Sequence, residues 1–504
     1  MTARRIAREY LAQIFAFAIT MFDRLVLVGV LIRLWGVEIF AAWTVALSVA
    51  GMVAIFDFGL NLYFGNRLFF AVEQGEKDRA RHILGAGNFA LAGASLFGAV
   101  AVVLLYLFFG NAAEGVNQES SLLWAVIILA VATAARQAMA VQYAVYRAHQ
   151  QFFRQTMIFS LGDLLRIIAV ITAVALGGDL VTVSFAYLGA IILFSVLLPI
   201  WDTARFYPDF RFGFALPDAE ERQRAIGTSL QYWVQSAVST AITFAPTFLL
   251  GASGAGAFAI AQFALMRTLA NLVRAVLQLF ANVFGLEAAR RIAVNDTAGL
   301  TGVYRESTQF LAIQMAGTAG ILAALAEPLF GYWTGNPTLY DTSLFWLAIG
   351  APLLLPTLSM ALQLLVCANQ PRALVAGRIA QLAITILVYF TLPIENVALR
   401  MMAALAIGEI IGLGAALLPA VVRIVPESGL ALHVDLAVRG ALTGVATYLV
   451  ASSTIMLGEN GSMIAFISAG LMSGMALAIC TWFLGLSAAR RMAAQAAFGR
   501  WRNR

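Results

Sequence analysis

The sequence predicts an all-α integral membrane protein of about 14 transmembrane helices, and three observations predict it. Of 504 residues, 61% are hydrophobic and only 12% charged, about half the charged share of a soluble domain. The mean hydropathy is +0.86, so too little polar surface remains to cover a globule in water. Apolar runs of the roughly 20 residues needed to cross a bilayer recur along the whole chain. The connections between them alternate between arginine-rich and arginine-poor, the pattern that the positive-inside rule requires.

Taken in order, the runs fall at 10–33, 38–64, 80–109, 121–146, 156–176, 181–201, 227–250, 256–284, 306–331, 342–367, 373–393, 397–421, 434–457 and 462–486. The first follows the basic segment MTARRIAREY. No small-residue cleavage site closes a short apolar core there, and charge returns at Asp23-Arg24, so it reads as a retained helix and not a signal peptide. With Arg4, Arg5 and Arg8 in the cytoplasm, every connection leaving an even-numbered helix is basic. These carry Arg67, Lys77, Arg79 and Arg81, then Arg147 and Arg154, then Arg205, Arg211, Arg222 and Arg224, then Arg290, Arg291 and Arg305, then Arg372, and finally Arg423 and Arg439. The other side shows GNAAEGVNQES, GGDL, GASGAG, the 331–341 segment and GEN, none with Arg or Lys; Arg33 and Arg400 are the exceptions. Losing one helix would invert every sign downstream, so the alternation requires an even number of spans and places both termini in the cytoplasm.

The longest connection, 202–226, contains PDAEERQRA, which reads as a short amphipathic cytoplasmic helix. It separates a six-helix segment, 1–201, from a second, 227–421; two further helices, 422–486, and a basic tail, 487–504, follow. A shift of 215 residues aligns Gly36 with Gly251, Ala41 with Gly256, Trp43 with Phe258, Val45 with Ile260 and Ala46 with Ala261. A duplicated even-helix unit keeps its orientation, giving parallel repeats about the membrane normal. Pro246, Pro352, Pro356 and Pro393 fall within or at the ends of helices as candidate kinks.

Residues 33–67, RLWGVEIFAAWTVALSVAGMVAIFDFGLNLYFGNR, carry the most specific local pattern. A first helix ending in LIRLWG leads to a short turn with an acid, Val37-Glu38; the next helix opens on Ala41-Ala42-Trp43 and closes on Asp57-Phe58-Gly59-Leu60. In this order of parts the chain resembles the polysaccharide transporters (O-antigen or lipid-linked oligosaccharide flippases) of the multidrug/oligosaccharidyl-lipid/polysaccharide exporter superfamily, with Ala41 where that family usually has glycine. The resemblance implies two six-helix lobes around a central cavity lined by helices 1, 2, 7 and 8. It also implies that an undecaprenyl-diphosphate-linked repeat unit moves from the cytoplasmic to the periplasmic leaflet of the bacterial inner membrane. A polysaccharide polymerase and glycosyltransferases would be the partners.

Charge within the spans is the second clue to function, because a buried acid or arginine costs about 2.5–3.5 kcal/mol at mid-bilayer on insertion scales. Asp23 and Arg24 lie inside helix 1, and Arg24 sits too deep to reach either surface. Two readings compete: an ion pair of Arg24 with Asp23 or Asp57 locking two helices, or a cationic patch for a phosphate. Arg267 and Arg274 stand seven apart on helix 8 and so share a face, which Gln278 and Asn282 extend. Arginine suits a diphosphate because its planar fork donates paired hydrogen bonds and stays charged when buried. The cavity candidates are therefore Arg24, Asp57, Arg267, Arg274, Gln278 and Asn282. Asp23 and Glu409, the latter within GEIIGLGAALL, are candidates for ion coupling. Asp163 and Arg166 are spaced to pair within one helix, with Arg136 nearby on helix 4. Arg67, Arg147 and Arg154 stand at the cytoplasmic surface, where they enforce topology or meet an anionic headgroup.

Several function classes drop out. Cys367 and Cys480 provide no metal spacing and no disulfide framework, and His82, His149 and His433 are scattered near helix ends. No nucleotide-binding, metalloprotease or redox motif is present, so no cofactor, metal or nucleic acid is expected, and the chain does not read as an enzyme. Two competitors stay open. A drug exporter of the same superfamily should be dominated by acids, since its substrates are often cations. A polytopic glycosyltransferase or polymerase should show catalytic acids or a large periplasmic loop.

Overall fold

A computed structural model describes residues 3–109, 119–354, 357–368, 370–457, 463–486 and 491, and its regular structure there is entirely helical. Most of the GNAAEGVNQES connection, the GEN connection, Pro356 and the basic tail from 492 onward lie outside the described residues. So do the side chains of Arg4, Arg5 and Arg8.

The chain opens with α1 (Ala3–Phe22), a π-helical turn (Asp23–Leu27) and α2 (Val28–Gly51). A 3₁₀ turn (Met52–Asp57) leads to α3 (Leu60–Glu73), followed by α4 (Lys77–Phe109), α5 (Glu119–Ala138), α6 (Ala140–Ala148) and α7 (Phe152–Ala175). Next, α8 (Leu180–Ala190) passes through a π turn (Ile191–Leu197) into α9 (Leu198–Phe206), and α10 (Ala219–Ala252) follows. The long pair α11 (Ala257–Ala293) and α12 (Thr297–Thr334) precedes α13 (Thr342–Leu354), α14 (Thr357–Cys367) and α15 (Pro371–Thr391). Then α16 (Val397–Ile407) continues through a π turn (Gly408–Leu413) into α17 (Gly414–Ile424). The described chain closes with α18 (Leu430–Leu457), α19 (Met463–Cys480) and a last π turn (Thr481–Gly485).

Among the described residues, 11 helical segments are long and apolar enough to cross a membrane. The first, Leu11–Asp57, has 47 residues, which at 1.5 Å per residue is about 70 Å, more than twice the hydrocarbon thickness. Gly36 divides it in two: its φ of 79° and ψ of 177° interrupt the helix where a side chain would be strained. The long, unbroken α11 is not among the 11, because Gln262, Arg267, Asn271, Arg274 and Gln278 lower its hydropathy, and α13 and α14 are two shorter apolar helices within one predicted span. Counting these, the spans match the 14 predicted. Phe89, Leu96, Phe97 and Val100 of α4 and Val434, Val438, Leu442 and Val445 of α18 stay exposed, as lipid-facing sides of a membrane protein must.

The contacts divide the chain into two compact units, Met1–Ala264 and Leu265–Arg504. The boundary differs from the one drawn on sequence, because α10 packs on α2 and α3 and belongs to the first unit. The Phe244 ring covers Gly51 so closely that a Cβ there would lie 2.5 Å from it. Trp233 Nε1 donates to the Ile55 carbonyl at 2.6 Å. Residues 219–226, expected as a separate amphipathic helix, instead prolong α10 without a break.

Ahead of α10 the connection is pinned to the first unit. Lys77 Nζ and Arg81 Nη2 reach Asp209 at 2.9 and 2.6 Å. Gln142 Nε2 donates to the Phe210 carbonyl and to Thr203 Oγ1 at 3.2 and 2.7 Å, and Asn88 Nδ2 to the Gly213 carbonyl at 3.3 Å. In the second unit, α12 packs on α18 through glycines that let two backbones touch: a Cβ on Gly320 would meet the Gly444 carbonyl at 2.2 Å. This is the small-residue interface expected where lipid removes any hydrophobic drive between helices.

Candidate functional site

In the first unit the membrane-embedded charges form a chain. Arg166, only 7% exposed, places Nη2 3.1 Å from Asp23 Oδ1 and Nε 3.5 Å from Asp163 Oδ1. Arg136 grips the same Asp163 with two bonds of 2.8 and 3.1 Å. Aromatic faces cover the cations, Phe159 at 4.2 Å from Arg136 and Tyr187 at 5.1 Å from Arg166. Asp23, Arg166, Asp163 and Arg136 thus sum to zero charge. The expected Asp163–Arg166 pairing is present, but Asp23 turns to Arg166 and not to its neighbour. Arg24, beside Asp23 in the same π turn, is half-buried and has no ion-pair or hydrogen-bond partner among the described residues.

Asp57 lies apart from this chain. Its Oδ1 accepts from Asn61 N at 3.2 Å, capping α3. The turn it belongs to needs two left-handed residues, Phe58 (φ 49°) and Gly59 (φ 72°). At Gly59 a Cβ would lie 2.3 Å from the Ser229 carbonyl, so the D-F-G-L stretch seats the end of the second span against α10.

The arginines expected at the cytoplasmic surface separate. Arg67 Nη1 donates to the Tyr63 hydroxyl at 2.9 Å. Arg147 lies over Gly65, its Nη2 2.8 Å from where a Cβ would sit, and its buried Nε has no hydrogen-bond partner among the described residues. Gly65 and Arg67 are two residues apart, about 200° around the helix, so Arg67 and Arg147 work on opposite sides of α3. Arg154 makes a two-bond pair with Asp202, at 2.6 and 2.9 Å, and lies 3.5 Å from the Phe206 ring centroid. Tyr146 donates to the same carboxylate at 2.8 Å.

The second unit concentrates positive charge. Arg274 Nη2 lies 2.9 Å from Glu409 Oε2 and also donates to the Ala348 carbonyl at 3.2 Å. Its Nε is buried with no hydrogen-bond partner among the described residues. Arg267, two turns earlier on α11, is within electrostatic range of both Arg274 and Glu409. A third cation, Arg378 of α15, is within range of the same two residues and donates to Gln381 Oε1 at 2.9 Å. Gln278 is exposed, and the Asn282 side chain lies outside the described residues. Arg378 and Gln381 were not singled out from sequence; the available signal was an arginine well inside a predicted span.

Glu409 owes its position to the π turn Gly408–Leu413. One extra residue in the turn re-aims the side chains that follow. Glycines make this possible: a Cβ on Gly408 would lie 2.1 Å from Thr385 Oγ1, and one on Gly412 2.4 Å from Gln381 N. The result is three guanidiniums around one carboxylate within membrane-spanning helices. An apolar cavity of about 460 Å³ lies elsewhere in this unit, between α12, α13 and α18, and no charged residue lines it. Among the described residues no cluster of His, Cys, Asp and Glu could hold a metal ion.

No protein-family model matches the sequence, and neither does any curated protein. Solved structures do resemble it. The lipid II flippase MurJ in an inward closed conformation superposes with a TM-score of 0.69 at 14% identity, covering 94% of this chain and 97% of that one. An inward-facing multidrug resistance transporter of the MATE family, in the MOP superfamily, gives a TM-score of 0.65 at 13% identity over 82% of this chain and 98% of that one. A MOP-superfamily transporter from Pyrococcus furiosus, described as having reversed polarity of its binding pocket, gives 0.58 at 14% identity over 83% and 95%. The chain is a multi-pass membrane protein with the fold shared by the lipid II flippase and the transporters of the MOP superfamily.

Proposed function

We propose that this protein is a flippase for a lipid-linked oligosaccharide. The substrate is a repeat unit joined through a diphosphate to a polyprenol such as undecaprenol. It passes from the cytoplasmic to the periplasmic leaflet of the bacterial inner membrane for O-antigen or exopolysaccharide synthesis, and both termini are cytoplasmic. The observation that carries this reading is the excess of arginine in the second unit, where, among the described residues, Arg267, Arg274 and Arg378 lie within range of the same carboxylate, Glu409. A surplus of guanidiniums over carboxylates inside spanning helices is costly, unlike the neutral network of the first unit, and their forked donors match a diphosphate. Arg24 adds an unneutralised cation in the first unit. A sugar head cannot cross hydrocarbon unaided, so the protein supplies a hydrated polar path, and alternating access moves the head across. Glycosyltransferases would build the substrate and a polymerase would consume the product.

The test is transport of a fluorescent polyprenyl-diphosphate oligosaccharide in proteoliposomes. Arg24→Ala and Arg267→Ala should each lower the rate at least tenfold at matched insertion. If both variants transport normally, the reading is wrong. The MATE-type neighbours favour a second reading, a small-molecule exporter of the same superfamily. Efflux of organic cations in the same vesicles, unaffected by the arginine substitutions, would select it.

A further inference from the structure

We propose that Glu409 is a built-in counter-anion that competes with the substrate diphosphate for Arg274, and that Arg378, positioned by Gln381, is the third cationic ligand of that site. The inference rests on the flippase reading and adds a means of release to it.

Three features separate this pair from an ordinary structural salt bridge. The contact is reachable: the Arg274 side chain is 37% exposed and that of Glu409 18%, whereas Arg166 in the first unit is sealed. Arg274 is also undersaturated. It spends one terminal nitrogen, Nη2, on both Glu409 and a carbonyl, and makes no other hydrogen bond among the described residues, so the exposed part of the guanidinium keeps donor capacity for a diphosphate oxygen. Finally, the backbone is braced, which leaves side-chain rotation as the way for the carboxylate to move. Gly408 and Gly412 press against Thr385 and Gln381, fixing the turn, whereas the Glu409 side chain has two free methylenes with which to swing aside.

The electrostatics give the arrangement a purpose. Three arginines facing an empty site would repel one another in a low-dielectric region, and three arginines on a diphosphate would release it slowly. One internal carboxylate eases both problems. It screens the empty site, and it returns to Arg274 as the diphosphate leaves. Arg378 joins because its bond to Gln381, itself 3% exposed, holds the guanidinium within range of Glu409 and Arg274.

The experiment measures binding of farnesyl diphosphate to the full-length protein purified in detergent, alongside transport. Glu409→Gln should bind about tenfold more tightly and transport more slowly, while Arg274→Ala and Arg378→Ala bind at least tenfold more weakly. A purely structural role for Glu409 cannot tighten binding. If Glu409→Gln binds no better than the parent while Arg274→Ala still weakens binding, the counter-anion idea is overturned and the flippase reading stands. If Arg267→Ala and Arg274→Ala both leave binding unchanged, the flippase reading falls with it. Should Glu409→Gln fail to fold, Gln381→Ala decides. It leaves the charge count alone but frees Arg378, so it must weaken binding, and unchanged binding overturns the proposal.

Discussion

At the scale of single residues, the first unit shows how membrane-buried charge is made tolerable, and the Arg154–Asp202 pair makes this quantitative. The Asp202 side chain is 7% exposed and Arg154's 30%, so removing the carboxylate strands a partly buried cation. Asp202→Asn should cost about 3 kcal/mol. Tyr146→Phe, which deletes a single hydrogen bond to the same group, should cost about 1 kcal/mol. Thermal unfolding in detergent checks the order, and equal losses would mean that the pair carries no special weight. Asp209 offers a pH test outside the membrane. Its hydrogen bonds to Lys77 and Arg81 hold its carboxyl below the ordinary range, which centres near 3.9. A depressed value in the folded state stabilises the pinned connection above the ordinary carboxylate value, and the benefit disappears as pH falls through the lower one. Proteolysis in the 207–218 connection should therefore be constant from pH 8 to 5 and rise only in strong acid, while Asp209→Asn raises it throughout. Spacing revealed that Asp163 and Arg166 pair. It could not reveal that Asp23 joins them, because adjacent helix residues point about 100° apart and Arg24 is thereby carried away from Asp23.

Whole elements were the most legible part of the sequence, because a span is set by length and hydropathy alone. What composition hides is where a helix changes pitch. Four π turns occur among the described residues, and two of them hold Asp23-Arg24 and Glu409. A π turn requires one surplus residue in the hydrogen-bond ladder and a neighbour that accommodates it, and the neighbour is unknowable from one strand of text. Likewise α10 absorbs the AEERQRA part of PDAEERQRA because helical hydrogen bonds run on wherever nothing stops them, and polarity does not stop them. Glycine packing is the testable part. Gly412→Ala would place a methyl 2.4 Å from Gln381 N, so α15 and the π turn must part, at a cost of about 1–3 kcal/mol. Gly470→Ala on α19 meets nothing within 4 Å and should gain a few tenths of a kcal/mol through helix propensity. Melting curves compare the two, and equal shifts would show that the turn is not braced by contact.

For the molecule as a whole, topology is the property that composition determines most directly and that helix geometry alone leaves open. A bundle of helices can be inserted either way up; arginines on one side of the connections choose the orientation. Both cysteines can be removed first, since Cys367 and Cys480 form no disulfide. Single cysteines are then placed at Gln74 and Val294, in arginine-rich connections, and at Leu176 and Thr338, in arginine-free ones. All four native residues are exposed, so reagent access reports the side of the membrane and not burial. A membrane-impermeant thiol reagent applied to intact spheroplasts should label 176 and 338 and spare 74 and 294 until the cells are opened. Each pair has one member before and one after the long connection, which makes the result sensitive to the number of spans. If α11, for all its arginines, failed to cross, 176 would still be labelled, but 294 and 338 would exchange behaviour. That single inversion would place Arg267 and Arg274 outside the hydrocarbon and remove the energetic reason for assigning them to an anionic ligand.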